Sequence, residues 1–376
     1  MKKKIALIYG GDSSEFEVSV KSGKHIALHI DREKYDVWEV LMKGQEWRVL
    51  ACEDGSQLVG GHASYSLDKT FSYPIDKADF SFVIPSDLGI GGTRVHFDIA
   101  LIMIHGTPGE NGLLQAYFEL IGMPFTTSPA TVCALSFNKY ACKCMLRDTG
   151  VKLAREIFLR RADNYNPFQI IAKLGLPLFV KPNNGGSSFG ISKVKRAEEL
   201  SQAIENAFKE DDAILIEEFI EGREMTNGVF ENGVITANGD RFENKLDSNI
   251  SSVSGAKSYN NLIDRELYRL PVTEIIPDNE FFDYEAKYLG ASQEICPAAI
   301  SEELSDRIID LSHKIFHHLG CKGFVRIDYI VRGDEIFFLE VNSVPGMTEM
   351  SLVPQQIRAA GLTIKEFLNH LLSQSF

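Results

Sequence analysis

The sequence predicts an α/β protein of two or three domains. Apolar runs that read as buried strands alternate with amphipathic helices through the first 125 residues, the pattern of a doubly wound sheet. A compact α+β segment and a β-rich segment ending in helices follow. The chain has 376 residues, enough for more than one core. Hydrophobic residues are 44% and charged residues 24%, a balance that excludes a disordered or collagen-like chain.

Residues 3–9 form a short apolar run closed by Gly10-Gly11, a buried strand. Asp12 and Glu15 have the spacing of a capping box ahead of a helix over 14–30. A second strand is expected over 36–42. Residues 45–96 are rich in Gly, Ser and aromatic side chains, with short β-like pieces such as 80–84. Another buried strand spans 97–104, before a glycine-rich loop over 105–112 and a helix over 113–121. Helical periodicity runs through 130–147. Then come a strand at 156–160, a helix at 167–174, strands at 176–181 and 191–194 around a Gly-Ser loop, a helix at 198–209 and a strand at 213–219. β-like pieces dominate from 221 to about 276. Leu304, Ile308, Leu311, Ile315 and Leu319 make one stripe of a long helix. Strands at 324–331 and 335–341 form a hairpin around Arg332-Gly333-Asp334, and two helices end the chain.

The 39 Lys and Arg against 52 Asp and Glu leave a net charge of −13. That argues against a nucleic-acid partner, because phosphate-backbone affinity needs net positive charge. A local basic pocket for a small phosphate remains compatible with it. The six cysteines, Cys52, Cys133, Cys142, Cys144, Cys296 and Cys321, are scattered without a CxxC, so reduced thiols in a reducing compartment are expected. The apolar stretch behind Lys2-Lys3-Lys4 stops at Tyr9, too short for a signal peptide. The run 99–104 is far short of a membrane span. A cytoplasmic protein without membrane contact is the expectation.

Four segments carry chemistry. On the last hairpin, Asp328, Glu340 and Asn342 alternate with apolar residues, so all three can share one face. Two carboxylates and an amide oxygen suit Mg²⁺ holding nucleotide phosphates; a solvated polar face is the plain alternative. The loop Lys181-Pro182-Asn183-Asn184-Gly185-Gly186-Ser187-Ser188-Phe189-Gly190 can wrap phosphate with backbone N–H groups, or be a surface hairpin. At the turn Gly10-Gly11-Asp12-Ser13-Ser14-Glu15, Glu15 is either a helix cap or the receptor of an ammonium group. Asp283-Tyr284-Glu285-Ala286-Lys287-Tyr288 has the charge and aromatic density of a lid, or is an ordinary loop.

Taken in series, these segments resemble the D-alanine–D-alanine ligases of the ATP-grasp superfamily. The matching stretches are residues 9–19, His105-Gly106 with Gly109-Glu110-Asn111-Gly112, residues 181–190, 284–288, 323–328 and 339–354. The resemblance implies a Rossmann-like N-terminal domain (1–125) followed by the two-module ATP-grasp fold, with a central module (126–221) and a C-terminal module (222–376). It implies that ATP drives the joining of two D-alanines into D-alanyl-D-alanine through an acyl phosphate, for peptidoglycan precursors. It further implies Mg²⁺, with Mn²⁺ as a substitute, and a homodimer.

Residue by residue, Lys139, Lys181 and Lys287 match phosphate-contacting lysines, and Asp328, Glu340 and Asn342 match metal ligands, with Glu340 bridging two ions. Arg326 and the Gly346 N–H match the groups that hold the oxyanion. Glu15 matches the receptor of the first D-alanine's ammonium, with Ser187 and Tyr288 as its hydrogen-bonded partners and His105 as a further contact. Ser351 and Leu352 match the second D-alanine site. Glu217, Glu218, Phe219, Ile220 and Glu224 match the adenosine segment, with Glu224 on the ribose and backbone groups alone acting at Glu218 and Ile220. The Glu285-Ala286-Lys287-Tyr288 run differs from the lids of ligases that make D-alanyl-D-lactate, so peptide formation is favoured over ester formation. The stretches 231–268 and 45–96 are longer than is usual in the family, and the 105–112 loop carries Thr107-Pro108 and Asn111 where members often differ. Two other readings remain: a D-alanine–D-lactate or other ATP-grasp carboxylate ligase, and a non-catalytic nucleotide-binding module. The presence of Asp328, Glu340, Asn342, Lys181, Lys287 and Arg326 weighs against the second.

Overall fold

A computed structural model describes residues 2–51, 71–86, 92–185, 190–231, 267–277 and 292–374. The chain starts with β1 (Lys3–Gly10), α1 (Phe16–His29), β2 (Tyr35–Lys43), β3 (Glu46–Ala51) and β4 (Phe71–Pro74). A two-stranded ribbon, β5 (Phe82–Pro85) and β6 (Gly92–Val95), leads to β7 (Ile99–Ile102) and α2 (Leu113–Ile121). The first sheet has the order β4-β3-β2-β1-β7. Its centre is parallel, β1 pairing with both β2 and β7, while β3 and β4 extend it antiparallel. Ile5 to Tyr9 are fully buried, as the continuous apolar run of a strand covered on both faces requires. The loops leaving the carboxyl ends of β1 and β7 therefore sit where ligands bind in open α/β sheets.

The capping-box expectation is corrected here. The Asp12 carboxylate accepts the Gly44 N–H instead of capping α1. Glu15 is the residue preceding the helix and makes no side-chain capping bond.

The periodicity over 130–147 resolves into two helices, α3 (Ala130–Phe137) and α4 (Lys139–Leu146). Asn138 between them is extended, and its side chain accepts the Ala141 N–H as a new N-cap. Continuous apolar periodicity could not show this break. Its effect is to place Lys139 at a helix start facing Asn184 and Gly185, through the bridge of Asn138 with Asn184. The short β8 (Lys152–Leu153) precedes the second sheet, made of β9 (Glu156–Arg160), α5 (Pro167–Leu174), β10 (Leu178–Pro182), β11 (Ser192–Val194), α6 (Leu200–Glu210) and β12 (Ala213–Glu218). Its strand order is β11-β10-β12-β9, antiparallel throughout. Leu200, Ala203, Ile204, Ala207 and Phe208 line one face of α6 and are buried in the same core as Val180 and Ile216.

The third sheet takes β13 (Arg223–Phe230), β14 (Thr273–Pro277), β15 (Ser292–Ile295), then, after α7 (Glu302–Leu319), the hairpin β16 (Phe324–Arg332) and β17 (Glu335–Asn342). Its order is β15-β14-β13-β16-β17-β8. On α7 the expected stripe is in place: Ile308, Ile315 and Leu319 are buried, with Leu304 and Leu311 packed at the margin. Ser301 caps the helix through the Leu304 N–H at 3.2 Å. Val132, Cys142 and Leu146 of α3 and α4 pack into this third core. The last helices, α8 (Leu352–Ala359) and α9 (Ile364–Gln374), close the chain. Ile357, Phe367 and Leu371 share a core with Ile5, Leu7 and Leu101 of the first sheet, which ties the C-terminal end to the N-terminal domain.

Candidate active site

A cleft of about 950 Å³ is lined by strands of the second and third sheets and, from the N-terminal part, by α1 and the loop after β7. At its N-terminal end stands Glu15, 5% exposed. A Cβ on Gly106 would come within 3.1 Å of Glu15 Oε2 and 2.7 Å of Ser13 Oγ, and Gly106 has φ +69°. Glycine is required there both by conformation and by the close approach of the acidic turn. His105 next to it is buried, with both ring nitrogens engaged. Its Nδ1–H donates to the Val344 carbonyl at 2.8 Å, so neutral Nε2 accepts from Ser22 Oγ at 2.9 Å. Ser22 Oγ in turn takes the Met347 N–H at 3.1 Å. Burial lowers the His105 pKa below its ordinary value, in keeping with that neutral tautomer. Glu110 reaches across to the same loop, accepting the Gly106 N–H at 2.8 Å and the Val344 N–H at 3.1 Å. Burial, and then the Glu15 charge, push its pKa up to about 8. His25 Nδ1 donates to the Met347 carbonyl at 2.7 Å. Ser22, His25, His105 and Glu110 together clamp the segment that carries Gly346.

A network of ion pairs reaches the middle of the cleft through Lys143, Lys181 and Glu217. Lys143, Lys181 and Arg147 face Glu156 and Glu217. Lys143 lies 3.1 Å from Glu156 and also pairs with Glu217, which is shared with Lys181. Burial lowers the pKa of Lys143, and that of Lys181 falls well below its ordinary value for the same reason, with Lys143 and Lys139 adding repulsion. Lys139 Nζ donates to the Gly185 carbonyl at 2.7 Å. Lys139, Lys143 and Lys181 all line the cleft at this point and make it a place for an anion. Next to the network, Phe179 and Phe219 sit 5.9 Å apart with Lys193 Nζ 4.0 Å above the Phe219 ring. The Glu218 carboxylate is held by Arg155, and its N–H donates to the Arg155 carbonyl. Its side chain is thus already committed to Arg155.

On the hairpin, Asp328 is directly opposite Glu340, and Arg326 is opposite Asn342. Arg326 grips Asp328 through both oxygens, at 2.9 and 2.8 Å. Asp328 also accepts from Thr226 Oγ1 at 2.6 Å and from Asn342 Nδ2 at 3.0 Å. With its nitrogen on Asp328, Asn342 keeps Oδ1 as the oxygen for a cation. Glu340 is close enough to Lys181 to act on it electrostatically. Among the described residues no three His, Cys, Asp or Glu side chains gather as a metal cluster. Two carboxylates and an amide oxygen fit a divalent cation that keeps positions open for phosphate oxygens.

Residues 4–128 match the family model for the D-ala D-ala ligase N-terminus, and residues 145–245 and 261–373 match that for its C-terminus. The D-alanine–D-alanine ligase of Phocaeicola vulgatus is 40% identical over 377 residues, spanning 100% of both chains. The chain belongs to the D-alanine–D-alanine ligase family. As a member, it is an ATP-dependent ligase using ATP and a divalent metal. The solved structure of the VanG D-Ala:D-Ser ligase from Enterococcus faecalis aligns with a TM-score of 0.79 at 29% identity over 100% of each chain. That of the D-alanine–D-alanine ligase from Coxiella burnetii aligns at 0.76 over 100% of this chain and 94% of that one, its 23% identity speaking for the fold alone. The ATP-grasp fold is thereby shown. Residues 246–260, inside the stretch expected to be expanded, fall between the two matched parts of the C-terminal model.

Seen as a ligase of this family, the cleft gathers Glu15, His105, Lys139, Lys181, Glu217, Glu218, Phe219, Ile220, Glu224, Arg326, Asp328, Glu340, Asn342, Gly346, Ser351 and Leu352. Ser187, Lys287 and Tyr288 lie outside the described residues. Ser351 stands at the start of α8, its Oγ taking the Thr348 N–H at 3.0 Å. A Cβ on Gly346 would touch that Oγ at 3.0 Å. Leu352 packs against Ile275 of β14. Sequence reading missed Lys143, Glu110, Ser22 and His25. The i+4 spacing of Lys143 from Lys139 was a usable signal; the other three act through partners hundreds of residues away or within a glycine loop.

No helix among the described residues is long and apolar enough to cross a membrane.

Proposed function

We propose that this cleft makes D-alanyl-D-alanine by the following division of labour. A carboxylate is a poor acyl donor, so an oxygen of the first D-alanine's carboxylate attacks the γ-phosphorus of ATP and ADP leaves. The amine of the second D-alanine then attacks the acyl carbon, loses a proton, and phosphate departs. Glu15 receives the first ammonium. Lys139 and Lys181 neutralise the phosphates, and Arg326 with the Gly346 N–H takes the oxyanion. Glu224 and the Phe179–Phe219 side hold the nucleoside. Ser351, at a helix start, takes the second carboxylate. Ser187, Lys287 and Tyr288 belong to this reading through resemblance. Asp328, Glu340 and Asn342 are proposed to hold Mg²⁺, with Mn²⁺ also suited to such hard oxygens; bound there, the ion supplies charge neutralisation between the phosphates. The division of the chain at 125/126 and 221/222 and a homodimeric assembly are proposed on the same resemblance.

One observation carries the reading: Lys139, Lys143 and Lys181 line the same cleft as the Asp328–Glu340 pair and Glu15. The likeness to a D-Ala:D-Ser ligase favours D-serine as a second acceptor to be tried. The test is ADP release with D-alanine as the sole amino acid, with mass detection of the product. Turnover and dipeptide with D-alanine alone are expected. ADP release only after addition of D-serine or D-lactate would overturn the reading.

A further inference from the structure

Strands β13, β14 and β15 place Glu224, Ile275 and Glu294 in one cross-strand row. Residues in register across a sheet share a face, and all three line the cleft. Ile275, in the middle of the row, packs on Leu352. Glu294 is therefore next to the end of the cleft formed by Ser351 and Leu352, on the far side of Ile275 from Glu224. A second contact fixes it there. The Gln355 Nε2 donates to the Glu294 carboxylate and also to the Met350 carbonyl, the latter at 2.7 Å. Gln355 lies one turn along α8 from Leu352. Its amide thus aims the Glu294 carboxyl and ties it to the loop that carries Ser351. Among the described residues Glu294 has no ion pair within 4 Å. Burial raises its pKa, with the Gln355 hydrogen bond and the more distant Arg326 charge opposing. A half-buried carboxylate of this kind is stabilised in its charged form by a cation placed beside it.

An amino acid that seats its carboxylate at Ser351 brings an ammonium with it. We propose that Glu294 is a specificity-determining residue that receives the ammonium of the second substrate, selecting amino acids over hydroxy acids as acceptors. The inference rests on the function proposed above. D-Alanine and D-serine both carry the cation that Glu294 would recognise; D-lactate does not. Glu294 accordingly sorts amine from hydroxyl acceptors and leaves side-chain choice to other groups.

The experiment compares the parent with Glu294→Gln and Glu294→Asp. The amide oxygen of Gln can still accept from Gln355, so the variant removes charge and keeps the hydrogen bond. The expected result for Glu294→Gln is a rise of about tenfold in KM for D-alanine at the second site, the scale of one lost charge contact. KM for ATP and for the first D-alanine should stay put. In mixed D-alanine and D-lactate, the share of ester product should rise by a similar factor, and Glu294→Asp should restore part of the discrimination. A second-site KM and an ester share equal to the parent's would overturn the assignment of Glu294 while the parent still makes dipeptide. A parent that makes no dipeptide would overturn the underlying function and this inference with it.

Discussion

Glu340→Gln is expected to lower turnover by about 10²–10³-fold while the protein stays folded, the scale of losing one group that stabilises transition-state charge. Glu340 is half-buried at the cleft and faces Asp328 across the hairpin. Replacing it by an amide of the same shape removes one negative charge from the pair proposed to hold the divalent ion. The loss should be largest at low Mg²⁺ and shrink as Mg²⁺ is raised, because binding of the ion is what is weakened. The neighbouring Asp328→Asn makes the sharper contrast. Asp328 is 2% exposed and holds Arg326 bidentately. Neutralising it leaves a largely buried guanidinium without its counter-ion, at a cost of about 3–5 kcal/mol of stability. Steady-state kinetics over a Mg²⁺ series, with thermal unfolding of both variants, checks this. Near-parental activity of Glu340→Gln at low Mg²⁺ would contradict the metal assignment.

Lys143→Met should destabilise the protein by about 3–5 kcal/mol, the usual cost of breaking a buried ion pair by removing one partner. Lys143 is 1% exposed and touches both Glu156 and Glu217. Glu156 retains Arg147 at 2.6 Å, but Glu217 is left to Lys181 alone. Lys181 then becomes committed to its counter-ion, and the cleft loses one of its lining positive charges. ATP binding should weaken by about tenfold or more, the range seen when one member of a buried charge pair is truncated. KM for D-alanine should change much less. Denaturant unfolding and nucleotide binding of the variant check both halves. An unchanged ATP affinity would show that Lys143 only holds the helix in place.

Much of this site was legible because its residues are close in sequence to patterned backbone. The hairpin alternation placed Asp328, Glu340 and Asn342 on one face, and the register puts Asp328 opposite Glu340. The α7 stripe and the α2, α5 and β9 boundaries likewise followed from periodicity and from Pro167 at a helix start. What stayed hidden depends on partners remote in the chain. Asn138 breaks a helix whose apolar pattern continues across it, since its capping bond and its bridge to Asn184 are not properties of that pattern. Asp12 looked like a cap because the competing Gly44 N–H is 32 residues away. Glu110 looked like one more polar residue of a glycine loop, whereas its carboxylate joins Gly106 to Val344. Lys143 carries an ordinary charge in an ordinary helix, and only the convergence of α4, β9 and β12 makes it part of the site. The individual roles of Lys287 and Tyr288 come from the resemblance alone, and both lie outside the described residues.

The central claim is that the carboxylate of one D-alanine is activated by phosphate transfer before the other D-alanine attacks it. D-Alanine labelled with ¹⁸O in its carboxylate tests this directly. In-line attack by that carboxylate on ATP, followed by loss of phosphate from the acyl carbon, carries one labelled oxygen into each phosphate released. The account predicts singly labelled phosphate in step with dipeptide formation. Unlabelled phosphate accompanying the dipeptide would contradict it.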